Sequence, residues 1–362
     1  MEKPAQTREE PMFTLTALSC IPLALAAPVP KPAAYTPVAA ATVKEYKALG
    51  FEAGVYRRDC FWWLFVPEPV EPIQGDIPAF RTETMPAVKL PAVTVPFGLC
   101  FDWSDFNDDD FKQIAHLDQL TVLSLRKAPV KTIPVELPRK LTDLDLFETP
   151  LEAGALDKLV KLDALQFLNL DCANVNDDWL ARCAGFKQLT SLSVGRKGVT
   201  DAGMKHVAGM QNLEFLDASR SSLTDEGWAA IGGMKRLKYL VAIKTELTDR
   251  GLAEICKCQT LTSLQLAETN VTGKGVNALP NLEWLFLDRS RVDDDGLRSV
   301  FACKRLTALS LRHTIVSDRS LAGIGGLDRL EDIDIRGTKI SPVGERWLKK
   351  TLPKCAVHVD ER

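Results

Sequence analysis

Apolar residues along most of the chain fall into one repeating order, Leu-x-x-Leu-x-Leu. It begins at Leu120, Leu141, Leu165, Leu189, Leu213, Leu237, Leu261, Leu282, Leu306 and Leu330, in steps of 24 residues apart from two of 21. Leu99 and Phe101 stand in the second and third apolar positions of a degenerate earlier copy. Alternation within each hexad predicts a short strand whose inward side carries residues such as Leu192 and Val194. A Val or Leu follows (Val175, Val199, Leu223, Leu247, Val271, Val292, Val316), then a polar pair such as Thr200-Asp201, Thr224-Asp225, Thr248-Asp249 or Ser317-Asp318. The hydroxyl suits a helix N-cap and the acid complements the helix dipole, so the second half of each unit is predicted to be helical. Gly203, Gly227, Gly251 and Gly296 just inside these helices cost helix propensity, which implies that another backbone packs closely there.

A unit this small cannot bury its apolar side alone, so successive units must stack and share one core. The unit from Leu120 contains Pro134 and Pro138 and predicts an extended or 3₁₀ segment in place of the helix. The unit from Leu261, with Gly273, Gly275 and Pro280, is also short. Trp347, Leu348, Leu352, Val357 and Val359 are expected to close the C-terminal end.

The stretches 189–204 (LTSLSVGRKGVTDAGM), 237–252 (LKYLVAIKTELTDRGL) and 306–321 (LTALSLRHTIVSDRSL) resemble bacterial leucine-rich repeats of the type LxxLxLxxTxVTDxGL. The resemblance covers roughly residues 96–359. It implies an α/β solenoid, a curved horseshoe with a parallel β-sheet on the concave face and mostly helices on the convex face. It also implies binding through the concave sheet, without indicating a ligand. The repeats are similar to those of F-box leucine-rich proteins as well, which would imply a substrate-receptor role, but no F-box precedes them.

Outside the repeats, residues 13–27 (FTLTALSCIPLALAA) are apolar and end in Ala24-Leu25-Ala26, the form of a secretory signal and its cleavage site. Translation from Met1 places Glu2, Glu9 and Glu10 ahead of it, and Met12 is an alternative start. The expected division is a signal peptide at 1–27, a Pro/Ala-rich linker and small N-terminal capping region at 28–95, and the repeat domain with its C-terminal cap at 96–362. The signal and the following PVPKP (28–32) resemble exported planctomycete members of the group, so the expected location is periplasmic, cell-surface or secreted. Within the capping region, 43–49 is a candidate helix and CFWWLFV (60–66) a candidate strand.

Composition narrows the function. Lys and Arg number 45 against 48 Asp and Glu, a net charge of −3, which lacks the basic excess of a nucleic-acid binder. No apolar run reaches the length of a membrane span. His116, His206, His313 and His358 are scattered, and no metal-ligand spacing, phosphate loop or nucleophile elbow occurs. No cofactor is implied, and the expectation is a monomeric, non-enzymatic protein. Cys258 and Cys303 share a repeat column with Leu117, Leu162, Phe186, Met210, Met234, Leu279 and Leu327, and Cys183 aligns with Val207 and Ile231, so all three are expected in the core. Cys60, Cys100 and Cys355 lie in cap regions where disulfides are conceivable after export, and Cys172 stands at a strand exit. Asp143 with Asp145, and Asp332 with Asp334, each point to one face of a strand and are expected on a solvated sheet surface.

The candidate binding residues lie on the outward side of the strands. Ser124, Ser191, Ser193, Ser263 and Ser310 make much of that side small and polar, whereas Phe215, Tyr239, Val241, Ile243, Trp284 and Phe286 are large and apolar. Exposed aromatics of this kind are typical binding anchors. Ser263, Gln265 and Ala267 between them would leave a shallow depression. Just beyond the strands, Arg196, Arg220, Lys244 and Arg289 are expected to form a basic ridge interrupted by Glu268. A protein partner is the leading expectation for this surface, with an extracellular glycan or cell-wall component as the alternative.

Overall fold

A computed structural model describes residues 34–59, 62–172 and 174–360. The signal-like stretch 1–27 and Cys60 lie outside the described residues. One open sheet of fifteen strands runs the length of the molecule. Its repeat strands are β4 (Phe97–Cys100), β5 (Leu120–Ser124), β6 (Asp143–Asp145), β7 (Phe167–Asn169), β8 (Ser191–Ser193), β9 (Phe215–Asp217), β10 (Tyr239–Val241), β11 (Ser263–Gln265), β12 (Trp284–Phe286), β13 (Ala308–Ser310), β14 (Asp332–Asp334) and β15 (Ala356–His358). They pair in parallel in sequence order. Leu123, Leu144, Leu168, Leu192, Leu216, Leu240, Leu264, Leu285 and Leu309 are register partners from strand to strand. All nine are buried in one continuous core, as the repeat register requires.

The outer helices are tied together by a device that recurs along the chain. In the helix Asp201–Ala208 the first residue, Asp201, accepts the backbone N–H of Thr224 at 2.9 Å and its hydroxyl at 2.6 Å, and Thr224 belongs to the next repeat. The Thr224 oxygen in turn caps its own helix, accepting the N–H of Glu226. Asp177 holds Thr200, Asp225 holds Thr248, Asp249 holds Thr272, Asp294 holds Ser317 and Asp318 holds Ser341 in the same two bonds. A Cβ on Gly227 would overlap the Asp201 carboxylate, and one on Gly251 would overlap that of Asp225. This is the close packing that the helix glycines imply.

At the inner end of each turn a second ladder is buried. Thr149, Ser221, Thr245, Thr269, Ser290 and Thr314 donate their hydroxyls to the carbonyls of Leu146, Ala218, Ala242, Leu266, Leu287 and Leu311, three residues earlier. The residue before each of these hydroxyls takes a left-handed backbone: Glu148, Arg220, Lys244, Glu268, Arg289 and His313 all have φ between 53° and 57°. This conformation disfavours a side chain. It persists because each N–H donates to the following repeat, as Lys244 does to the Ala267 carbonyl at 2.9 Å and Arg220 to that of Ile243 at 2.8 Å.

The short units behave as their composition requires. No helix forms between Leu120 and Leu141, and a 3₁₀ turn at Val276–Ala278 serves the unit from Leu261. Cys183, Cys258 and Cys303 are buried in the core, and Cys172 joins them. Cys100 and Cys355 are free thiols.

Residues ahead of the repeats extend the sheet. Strand β3 (Ile77–Arg81) pairs in parallel with β4, and β1 (Glu52–Asp59) lies between β3 and β2 (Trp62–Pro67), antiparallel to both. The helix Ala40–Ala48 presses Tyr46 onto Phe80, with ring centroids 4.0 Å apart. Phe51, Phe101, Phe106 and Phe111 continue this aromatic plug over the first core layer. At the other end Leu348 and Leu352 close the core and Val357 and Val359 pack against it, but Trp347 is 39% exposed. It lies on the outer side of the helix Pro342–Thr351 and is not part of the closing layer.

The Leu240 side chain is fully buried in the middle of the ladder. Leu240→Ala should therefore lower the unfolding free energy by about 2–5 kcal/mol in denaturant titration. A loss below about 0.5 kcal/mol would contradict the shared core.

Candidate functional site

The face of the sheet away from the core carries the alternate strand residues, which form a separate apolar cluster. Phe215, Tyr239, Val241, Trp284, Phe286 and Ala308 make it, with Ile243 at its margin. The register places Phe215, Tyr239, Ser263, Trp284 and Ala308 in one row across β9 to β13, and Asp217, Val241, Gln265, Phe286 and Ser310 in the next. The sequence therefore assigns these residues to the correct side of the sheet.

Their expected exposure needs correction. Phe215, Tyr239, Val241, Trp284 and Phe286 are only 3–9% exposed. Neighbouring strands stand less than 5 Å apart, so large side chains in one row pack sideways against each other. The Tyr239 and Trp284 rings lie nearly parallel with centroids 6.3 Å apart, although Ser263 separates them in the register. They close over Ser263, and the expected depression is absent. The result is an apolar plate.

Crowding also changes the polar part of this face. Ser124, Ser191, Ser193, Ser263 and Ser310 are buried. The acidic pairs are not solvated either. Asp143 and Asp334 are buried, Asp334 is held by Arg336 and Arg312, Asp332 meets His358 at 2.8 Å, and Asp145 lies 3.5 Å from Arg126. The Thr142 hydroxyl donates to Asp143.

Of the expected basic ridge, Arg220, Lys244 and Arg289 share one left-handed backbone position with Glu268 and His313. Arg196 departs from it. Its N–H bonds to Val194 of its own repeat, and its side chain turns to Asp171, with Nε 2.5 Å from Oδ1.

An internalin of Listeria monocytogenes superposes with a TM-score of 0.58 at 20% sequence identity, covering 74% of each chain. The chain folds as a leucine-rich repeat solenoid. A leucine-rich repeat protein of Leptospira interrogans matches at 18% identity over 72% of this chain and 74% of that one, with a TM-score of 0.43. No protein-family model and no curated protein matches the sequence. Among the described residues, no helix is long and apolar enough to cross a membrane, and no group of three or more His, Cys, Asp or Glu could hold a metal.

Two sets of aspartates occupy opposite sides of the solenoid. On the concave side burial dominates. It raises Asp171 to about 7 against the pull of Arg196, with Asp217 adding repulsion. It raises Asp145 to about 6 despite Arg126. Burial likewise raises Asp102, Asp217 and Asp288. On the convex side burial raises too, but is outweighed: hydrogen bonds from Thr132 and Lys131 hold Asp108 low, and those from Ser317 hold Asp294 low.

The sign follows from linkage. A carboxyl raised in the folded state keeps a proton that unfolding releases, so stability rises as pH falls through the raised value. The lowered convex carboxyls act oppositely, losing their contribution only at more acidic pH. Chemical denaturation should therefore show greater stability at about pH 5 than at about pH 8. The Asp145→Asn, Asp171→Asn double variant should lose most of that difference. An unchanged difference in the variant would show that other groups set the pH response.

Proposed function

We propose that this solenoid is a non-enzymatic scaffold that binds a protein partner through its concave sheet. The observation that carries the reading is the second apolar cluster. Phe215, Tyr239, Val241, Trp284 and Phe286 are separated by the sheet from the leucine core and are not needed to close it. Large apolar side chains gathered on one part of the concave face suit an interaction site, and aromatic residues dominate binding hot spots. The plate favours a flat, complementary protein surface. Arg220, Lys244 and Arg289 stand along its edge and would contact acidic groups at the partner's rim.

The signal-like residues 13–27 support export of this scaffold. N-terminal sequencing of the protein from its native cells should then begin near Ala27. Recovery of intact residues 1–30 in the cytoplasmic fraction would overturn export.

The binding reading is tested with the protein that the chain captures from its native cells. Trp284→Ala and Phe286→Ala should weaken that complex by about 30-fold each, the usual loss of a central anchor. The convex control Lys205→Ala should leave it unchanged. Both plate residues are packed, so affinities are compared at a temperature where each variant retains its folded circular-dichroism spectrum. Full affinity in both plate variants would move the interface off the concave sheet.

A further inference from the structure

Beside the apolar plate, the concave rows become polar at β8 and β9. Ser193 is the register partner of Asp217, and Ser191 of Phe215. Both serines are at least nine-tenths buried, and among the described residues neither hydroxyl has a hydrogen-bond partner. On the same face the amide nitrogen of Asn169, the register partner of Ser193, and the indole nitrogen of Trp284 also lack a partner among the described residues, whereas other serines are engaged. Ser124 donates to Asp102 at 2.5 Å, and Ser310 donates to Asp288, in each case 22 residues back. The same offset would place Ser193 on Asp171, but Asp171 is engaged by Arg196.

The cause is the turn at Arg196. Where Arg220 and Lys244 send an N–H to the next repeat, Arg196 bonds to Val194. Cys172, at the equivalent place one unit earlier, likewise bonds back to Leu170, so the turn ladder is interrupted over these two units, and the two open hydroxyls lie beside the interruption. Asp217, next to Ser193, accepts from the backbone N–H and hydroxyl of Ser219. No ion pair to Asp217 forms among the described residues.

We infer that this point is a subsite for a cationic side chain, an Arg or Lys of the protein partner, received by Asp217 with Ser193 and Ser191. The inference rests on the concave-face reading above and names the chemistry of the partner. A cation supplies the donors that the carboxylate and both hydroxyl oxygens can accept. A neutral amide would satisfy the serines and leave the carboxylate uncompensated. An anion would meet repulsion from both Asp217 and Asp171. The neighbouring rings of Phe215 and Tyr239 add a face on which a guanidinium can lie, and the adjoining plate takes the apolar residue beside it.

Three fluorescent hexapeptides probe the full chain by anisotropy: alternating Leu-Arg, alternating Leu-Gln and alternating Leu-Glu. The Leu-Arg peptide should bind at least about 10-fold more tightly than the other two. Asp217→Asn should remove that preference and leave the weak Leu-Gln binding unchanged. Asp332→Asn, on the same face near the C-terminal end, should change nothing. Ser193→Val provides a second route should Asp217→Asn fail to fold, and it should also reduce the preference. Equal binding of the three peptides, binding of none, or a preference that survives both subsite variants would overturn the inference. The two readings fail separately. If Trp284→Ala releases the native partner while Asp217→Asn does not, the scaffold stands and the subsite falls. If neither change affects the partner, the concave reading itself falls.

Discussion

One carboxylate, set at the first residue of an outer helix and repeated in most units, ties the convex side together. Asp201 illustrates the arrangement: it binds the backbone and the hydroxyl of Thr224, and Thr224 caps the next helix. Hydrogen bonds to a charged group contribute about 1.5–3 kcal/mol each, more than neutral ones. The device places successive helices so near that a Cβ at Gly203, Gly227, Gly251 or Gly344 would overlap the carboxylate of the preceding helix. On the other side of the core the strands stay in parallel register, and from Leu123 to Leu309 each leucine of the ladder meets that of the next unit. The stacking of the fold is thus set at its outer rim as much as in its apolar interior.

Much of this was legible in the chain. The leucine period identifies the strands and the shared core, and the column containing Met210, Met234 and Cys258 identifies buried cysteines without any disulfide argument. The Thr-Asp pairs marked the helix starts. Their larger role was hidden because the acid's partner lies 23 residues away, in the next unit, and not in its own helix. The side of the sheet occupied by Tyr239 and Trp284 was legible too. Their burial was not, because alternation assigns a face and says nothing of how rings in adjacent rows lean.

The N-terminal plug and the opening at Ser193 were the least readable. Tyr46, Phe51 and Phe80 stand outside the period, and their packing depends on antiparallel pairing that no repeat announces. Ser193 looks identical to Ser124 and Ser310 in the alignment of units. Only the turn of Arg196 toward Asp171 separates them. The aspartates carry a related lesson. Asp171 and Asp294 are the same residue type in the same repeat family, yet burial raises one and hydrogen bonds from Ser317 lower the other.

The left-handed turns give the array a direction. Lys244 keeps its unfavourable φ because its N–H reaches Ala267 in the unit that follows, and Asp249 keeps its donors because Thr272 belongs to that unit as well. Both supports come from the C-terminal neighbour. Loss of a terminal unit at that end would strip an acceptor from one turn and the donors from one carboxylate in the unit before it, which is thereby primed to detach. Each unit of this ladder therefore leans on its C-terminal neighbour, and Leu348 and Leu352 close the last layer. At the opposite end, the stacked rings of Tyr46 and Phe80 and the antiparallel strands bind the first layer by contacts of another kind. The two ends of the stack are thus held by different means.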